Sequence, residues 1–258
     1  MIRDHLPEVR TVLTSRALAL SAGLALVVVT AAGCGGGHAR KTPTSPPASA
    51  ARTSATPTPV SYAAQHVKSS LLTAHEVDTR THAAPVTLLG FGKAKVPSCA
   101  DTSITLPAGP DTTAHEFDPS DSRSSVAAFV ELAAVYRDAA SAASAFAHVK
   151  SKVSACPDKQ HVGSKKASGK QFMLAYDDSW KTTADEVSGW THVRGFEKLT
   201  YSASASIINI IYEVHDYAAH GNAVISTVYL KRVKPSAAEG PIAKQASALL
   251  TRQLAKIG

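Results

Sequence analysis

Ile207-Ile-Asn-Ile-Ile-Tyr-Glu-Val-His-Asp-Tyr217, the short link His220-Gly221-Asn222, and Ala223-Val-Ile-Ser-Thr-Val-Tyr-Leu-Lys-Arg-Val233 form the stretch on which the fold turns. Both runs are rich in β-branched and aromatic residues, and a Gly-Asn pair between such runs predicts a β-hairpin. Upstream, Gln171 to Tyr176 and Thr191 to Tyr201 have the same strand composition. Downstream, Pro235 ends the last strand and Pro241 opens a helix. Its Ile242, Ala246, Leu249, Leu250, Leu254 and Ile257 make one apolar stripe. Glu239 before that helix and Arg252 and Lys256 near its end suit the helix dipole.

The first half of the domain reads differently. Thr73 and Glu76 have capping-box spacing after Leu71-Leu72, which predicts a short helix. Val86 to Phe91 reads as a strand, and the Pro-, Asp- and Ser-rich segment 97–122 as a long loop. Val126 to Tyr136 is apolar with little alternation, as in a strand buried on both faces. Asp138 caps a helix running to about Ala155, with Ala142, Phe146, Val149 and Val153 on one side. A run of strands with helices before and after predicts an α+β fold. It is a largely antiparallel sheet with flanking helices packed on one face, in one domain over 67–258.

Residues 1–33 have the organisation of an export signal. Arg3, Arg10 and Arg16 precede an uncharged run from Ala17 to Gly33, which is short for a bilayer span of about 20 apolar residues. Ala31-Ala32-Gly33-Cys34 looks like a bacterial lipobox, so Cys34 is the expected lipidation site. Residues 34–66 follow as a tether. Gly35 to Gly37 and five prolines stand among Ser, Thr and Ala, with no acidic residue, a composition that cannot bury enough apolar surface to order itself. The expected location is the outer face of the cell membrane, held by the N-terminal lipid.

Composition excludes several classes. The chain has 258 residues, 44% of them hydrophobic, with 27 Lys and Arg against 20 Asp and Glu; it is neither collagen, coiled coil nor a disulfide-dense miniprotein. The basic cluster Lys159, Lys165, Lys166 and Lys170 lacks interleaved aromatics, which argues against nucleic acid as a partner. Gly163 to Lys170 resembles a phosphate loop but has one residue too many between its glycines and Gln171 in place of the hydroxyl. No Ser-x-x-Lys pair or Gly-x-Ser-x-Gly elbow occurs, so no catalytic residue is assigned and the chain is read as a non-enzyme. None of the 11 histidines has a helical partner three or four residues away; they read as surface residues, with no metal and no cofactor expected.

With Cys34 assigned to the lipid, Cys99 and Cys156 remain as an even pair. In an exported chain they read as a disulfide, contributing about 4 kcal/mol by the loop-entropy formula.

A set of short motifs then falls in a familiar order. Leu71-Leu72-Thr73 with Glu76-Val77 is followed by Pro97-Ser98-Cys99. An alanine-rich strand and helix from Ala134 to Phe146 ends in Ala155-Cys156, and Gly189-Trp190-Thr191 with Arg194 comes next. In this order they resemble the extracellular sensor domain of actinobacterial PknH-type Ser/Thr kinases, a module also found in stand-alone lipoproteins. The resemblance implies a mixed sheet with flanking helices and a ligand-binding cleft. It departs at the second disulfide that family members often carry: His192 follows Thr191, and Ile207 to Tyr217 holds no cysteine.

Trp180 and Trp190 are the only tryptophans and bracket one turn. With His192 they are the candidate ligand-binding residues, expected to line a single concavity. The expected function is a lipid-anchored, ligand-binding or sensor-like envelope protein, whose partner is an unidentified small molecule or lipid. The alternative is an interaction module that docks onto another envelope protein.

Overall fold

The computed structural model describes residues 60–87, 91–120, 127–166, 172–204 and 206–258. The signal, Cys34 and the tether up to residue 59 lie outside the described residues, as does part of the expected strand Val86–Phe91.

Helical structure is already present at 64–66, within the stretch expected to be tether. Helix α1 (Ala64–Ser69) buries Val67, and α2 (Ala74–Val77) starts with the expected Thr73–Glu76 capping box. Strand β1 (Thr81–Ala84) follows, then the hairpin β2 (Lys95–Ser98) and β3 (Thr102–Thr105), then β4 (Asp111–Pro119) and β5 (Ala127–Val135). The expected loop 97–122 therefore holds two complete strands and the end of a third. Their Thr, Ser and Asp content hid them, because β3 is mostly exposed and β4 mostly half-buried, so that each buries few side chains. Helix α3 (Ala139–Ser154) is capped by the Asp138 carboxylate, which accepts from the Ser141 amide at 2.8 Å. After it come β6 (Lys159–Val162), the small pair β7 (Lys165–Lys166) and β8 (Phe172–Met173), and the meander β9 (Tyr176–Val187), β10 (Trp190–Tyr201), β11 (Ile210–His220) and β12 (Ala223–Val233). Helix α4 (Glu239–Ile257) closes the chain.

Eight strands make one sheet in the order β1-β4-β5-β12-β11-β10-β9-β6. Every neighbouring pair is antiparallel. The β11–β12 hairpin turns through Gly221 and Asn222, with His220 opposite Ala223. Gly221 has φ of 55°, and a Cβ there would run into the Val60 carbonyl, so both backbone conformation and close approach require glycine.

Helices cover both faces of the sheet, which corrects the one-face expectation. Alternate residues of each strand point to opposite sides. Val193, Tyr217, Val224 and Val228 meet α3 and the β2–β3 hairpin. Tyr212, Val214 and Tyr229 meet α4 and the α1–α2 segment on the other side, as do Ala218 and Ile225. The central strands are apolar on both sides and cannot leave one face to water. All six stripe residues predicted for α4 are buried, and α3 buries the predicted four plus Ala145. A disulfide joins Cys99 to Cys156 across 57 positions of sequence, tying the β2–β3 hairpin to the end of α3.

Candidate functional site

The β2–β3 hairpin reverses through Ala100 and Asp101, both at positive φ (52° and 56°), and the Thr102 amide donates to the Cys99 carbonyl. Two successive left-handed residues are the pattern of a type I′ turn, here built without glycine or asparagine. This turn lies over the sheet. The Ala100 amide donates to Glu197 Oε1 at 2.7 Å, and the Tyr176 hydroxyl donates to Asp101 Oδ2 at 3.1 Å.

Beneath the turn sits a buried polar cluster. His215 Nε2 lies 3.0 Å from Glu197 Oε2 and 3.5 Å from Glu213 Oε2. Gln160 donates to Asp178 Oδ2 at 2.7 Å. His215 is wholly buried, and Glu197, Glu213 and Asp178 are each at most 4% exposed. Burial raises the pKa of all three carboxyl groups; for Asp178 the neighbouring Glu197 charge adds to it, and the value reaches about 6. Burial opposes the charged form of His215, but its hydrogen bonds to Glu197 and Glu213 outweigh that and lift its pKa to about 9.

A second cluster occupies the opposite face. His192 Nδ1 lies 2.5 Å from Asp185 Oδ1, and its Nε2 lies 2.9 Å from Asp216 Oδ1. Arg194 grips Asp216 with two donors at 2.6 and 3.0 Å, and donates to Ser247 Oγ on α4 at 2.9 Å. Burial would raise the pKa of Asp216, yet hydrogen bonds from His192 and Arg194 bring it below the ordinary aspartate value. Burial would lower that of His192, yet its two aspartates raise it.

The sequence-predicted ligand residues are all present and do not converge. Trp180 is buried on the α3 side, donating from Nε1 to the Val153 carbonyl and to Thr182 Oγ1. Its indole occupies the space that Gly195 leaves open, since a Cβ there would overlap the ring. Trp190 is buried on the α4 side, stacked on Tyr62 with ring centroids 5.8 Å apart. The sheet separates the two indoles, so they cannot line one concavity; both serve as core. His192 alone reaches a hollow, of about 70 Å³, bordered by Asp185, Arg194 and Ser247. The reading of histidines as surface residues fails for His192 and His215, which are buried between carboxylates. Cys34 lies outside the described residues.

A roomier concavity than the one at His192 lies elsewhere. A groove of about 420 Å³ runs between the β2–β3 hairpin and the end of α3. Ser98, Thr102, Ser103, Thr105, His148 and Lys152 line it beside the Cys99–Cys156 disulfide. Its hydroxyls, one ammonium and one imidazole alternate with the apolar Ile104, Ala155 and Pro157, so the lining is mixed. Sequence reasoning missed it because it forms only when the disulfide brings a hairpin, itself hidden in an expected loop, against a helix end.

No protein-family model matches the chain, and no curated protein matches it. Among solved structures, the extracellular domain of PknH from Mycobacterium tuberculosis is similar at a TM-score of 0.46 and 10% identity, covering 77% of this chain and 98% of that one. A Pseudomonas aeruginosa protein of unknown function is similar at a TM-score of 0.30 and 15% identity, covering 59% of this chain and 92% of that one.

Proposed function

We propose that the chain is an exported, lipid-anchored binding module of the cell envelope, sensor-like in acting by occupancy rather than by catalysis. Cys34 carries the anchor, and the groove beside the disulfide takes the ligand, a polar small molecule or a lipid headgroup. The observation that carries this reading is the groove itself, whose two walls are joined by a covalent cross-link. A disulfide suits the oxidising exterior to which the amino-terminal signal points. Among the described residues no helix is long and apolar enough to cross a membrane.

Two experiments test it. Cys34→Ala produced in the native host should shift from the membrane fraction to the medium; a variant that stays membrane-bound overturns the anchor. Native mass spectrometry of the extracted protein should show a bound molecule that Ser103→Trp, which fills the groove, displaces. The second reading, docking onto an envelope protein without a small ligand, is favoured by the open form of the groove. It predicts no bound molecule and a crosslinked partner that the same variant removes.

A further inference from the structure

We infer that Glu197, Glu213 and His215 form a site for one divalent transition cation of the zinc class, held between the sheet and the turn of the β2–β3 hairpin. The site is separate from the groove and does not depend on what the groove binds.

Geometry is the first support. The three donor atoms lie within 4.8 Å of one another. His215 Nε2 stands 3.0 Å from Glu197 Oε2 and 3.5 Å from Glu213 Oε2. A tetrahedral ion with bonds of about 2.0–2.2 Å to nitrogen and oxygen spaces its donors about 3.3–3.6 Å apart. The two separations from the imidazole nitrogen, 3.0 and 3.5 Å, lie close to that spacing. One imidazole with carboxylates and no thiolate suits zinc or manganese better than a soft ion.

Charge is the second support, and the molecule supplies its own control. On the α4 face, Asp185 and Asp216 are matched by His192 and by the Arg194 guanidinium. On the α3 face, Glu197 and Glu213 are buried against the single imidazole of His215, Asp178 is buried beside Glu197, and among the described residues no lysine or arginine forms an ion pair with them. Three buried carboxyl groups with one imidazole must either bind protons or take up further positive charge. One divalent ion is a way to supply that charge.

Unused polar atoms are the third support. Glu197 and Asp178 each have one oxygen held by a protein donor, Ala100 N–H and Gln160 Nε2 respectively. The other oxygen of Glu197 faces His215; that of Asp178, Oδ1, is buried without a partner, on a carboxyl group that interacts with Glu197 and Glu213. An outer donor fixing one oxygen while the other points inward is how metal carboxylates are oriented. Asp178 lies outside the three-donor group and adds a further buried carboxyl beside Glu197. His215 Nδ1 is also buried without a partner.

The test uses the full chain in detergent, freed of metal by a chelator and titrated with Zn²⁺, with Mg²⁺ as control. The site should take up one zinc per chain. Zinc-edge X-ray absorption should show a single imidazole nitrogen with oxygen neighbours. Glu213→Gln, which preserves size, should weaken zinc binding at least 100-fold. Absence of stoichiometric zinc, a shell with two or more imidazoles, or undiminished binding by the folded Glu213→Gln protein would overturn the site. Should that variant not fold, the absorption spectrum of the parent protein decides alone.

Discussion

His192 on β10 and His215 on β11 are the two deeply buried histidines of the sheet; they face opposite sides of it, and each lies between two carboxylates. The first set is balanced by Arg194, which also links it to Ser247 on α4. The second set has His215 and hydrogen-bond donors but, among the described residues, no lysine or arginine paired with it. Adjacent strands of one hairpin thus carry two similar motifs with opposite electrostatic outcomes.

The balanced set gives a pH signature. His192 has a raised pKa in the folded state, so its stabilising contribution is complete below the unfolded histidine value of about 6.5 and is lost as pH rises through the folded value. Asp216 is depressed, so its contribution is present above about 3.9 and is lost as pH falls through its folded value. The stability difference between the parent protein and His192→Gln should be largest below pH 6.5 and shrink above it, as read from urea midpoints across pH. A difference constant from pH 5 to 9 would show that His192 is not charged in the fold.

Gly195→Ala places a methyl group inside the Trp180 ring position. Overpacking of this kind costs about 1–3 kcal/mol. Trp180→Leu vacates the space, so the double variant should be more stable than the sum of the single losses predicts. Thermal or urea unfolding of the four proteins measures the coupling, and strict additivity would deny the contact.

Replacing both Cys99 and Cys156 by serine removes a cross-link across 57 positions. The loop-entropy formula gives a loss of about 4 kcal/mol. Denaturant unfolding with and without reductant should show this loss in the parent protein and no reductant effect in the double variant.

Asn222 ties three segments together. Its Oδ1 accepts from the Tyr62 amide, and its Nδ2 donates to the carbonyls of Tyr62 and Tyr136. Asn222→Ala leaves buried backbone groups without partners, at about 1–3 kcal/mol for each one stranded. Hydrogen exchange should reveal faster opening around residues 62–70, whereas unchanged protection there would place the amino-terminal segment's stability elsewhere.

Much of the architecture was legible because it is written in local pattern. The Gly221-Asn222 turn, the Asp138 cap, the apolar stripe of α4 and the unalternating β5 each carry their own signal. Strands β3, β4 and β9 were not legible. Thr102, Ser103, Asp111 and Thr112 resemble loop residues where a strand is exposed or half-buried. The exposed run from Lys181 to Glu186 hid β9, so that the strand was expected at Gln171 to Tyr176 instead. The site was legible only at Cys99 and Cys156. Glu197, Glu213 and His215 meet through strand register, and Asp178 joins them from β9; no spacing rule along the chain reports such a meeting. Trp180 and Trp190 misled for the same reason. Ten positions apart, on strands paired through one turn, they fall on opposite faces because register rather than proximity in sequence decides which side each takes.

The docking of Tyr62 has a mechanical consequence. Its hydroxyl pairs with His220 Nδ1 at 2.6 Å and its ring stacks on Trp190, beside the β11–β12 turn. Tension arriving from the amino-terminal side enters the folded unit at these side chains. It reaches α1 and α2 next, and then β1, a four-residue strand at the margin of the sheet. The long central ladders come under load only after all of these have given way. Stretching would therefore peel this protein in stages from its weakest margin, and the core strands would hold while the leading segment pays out length.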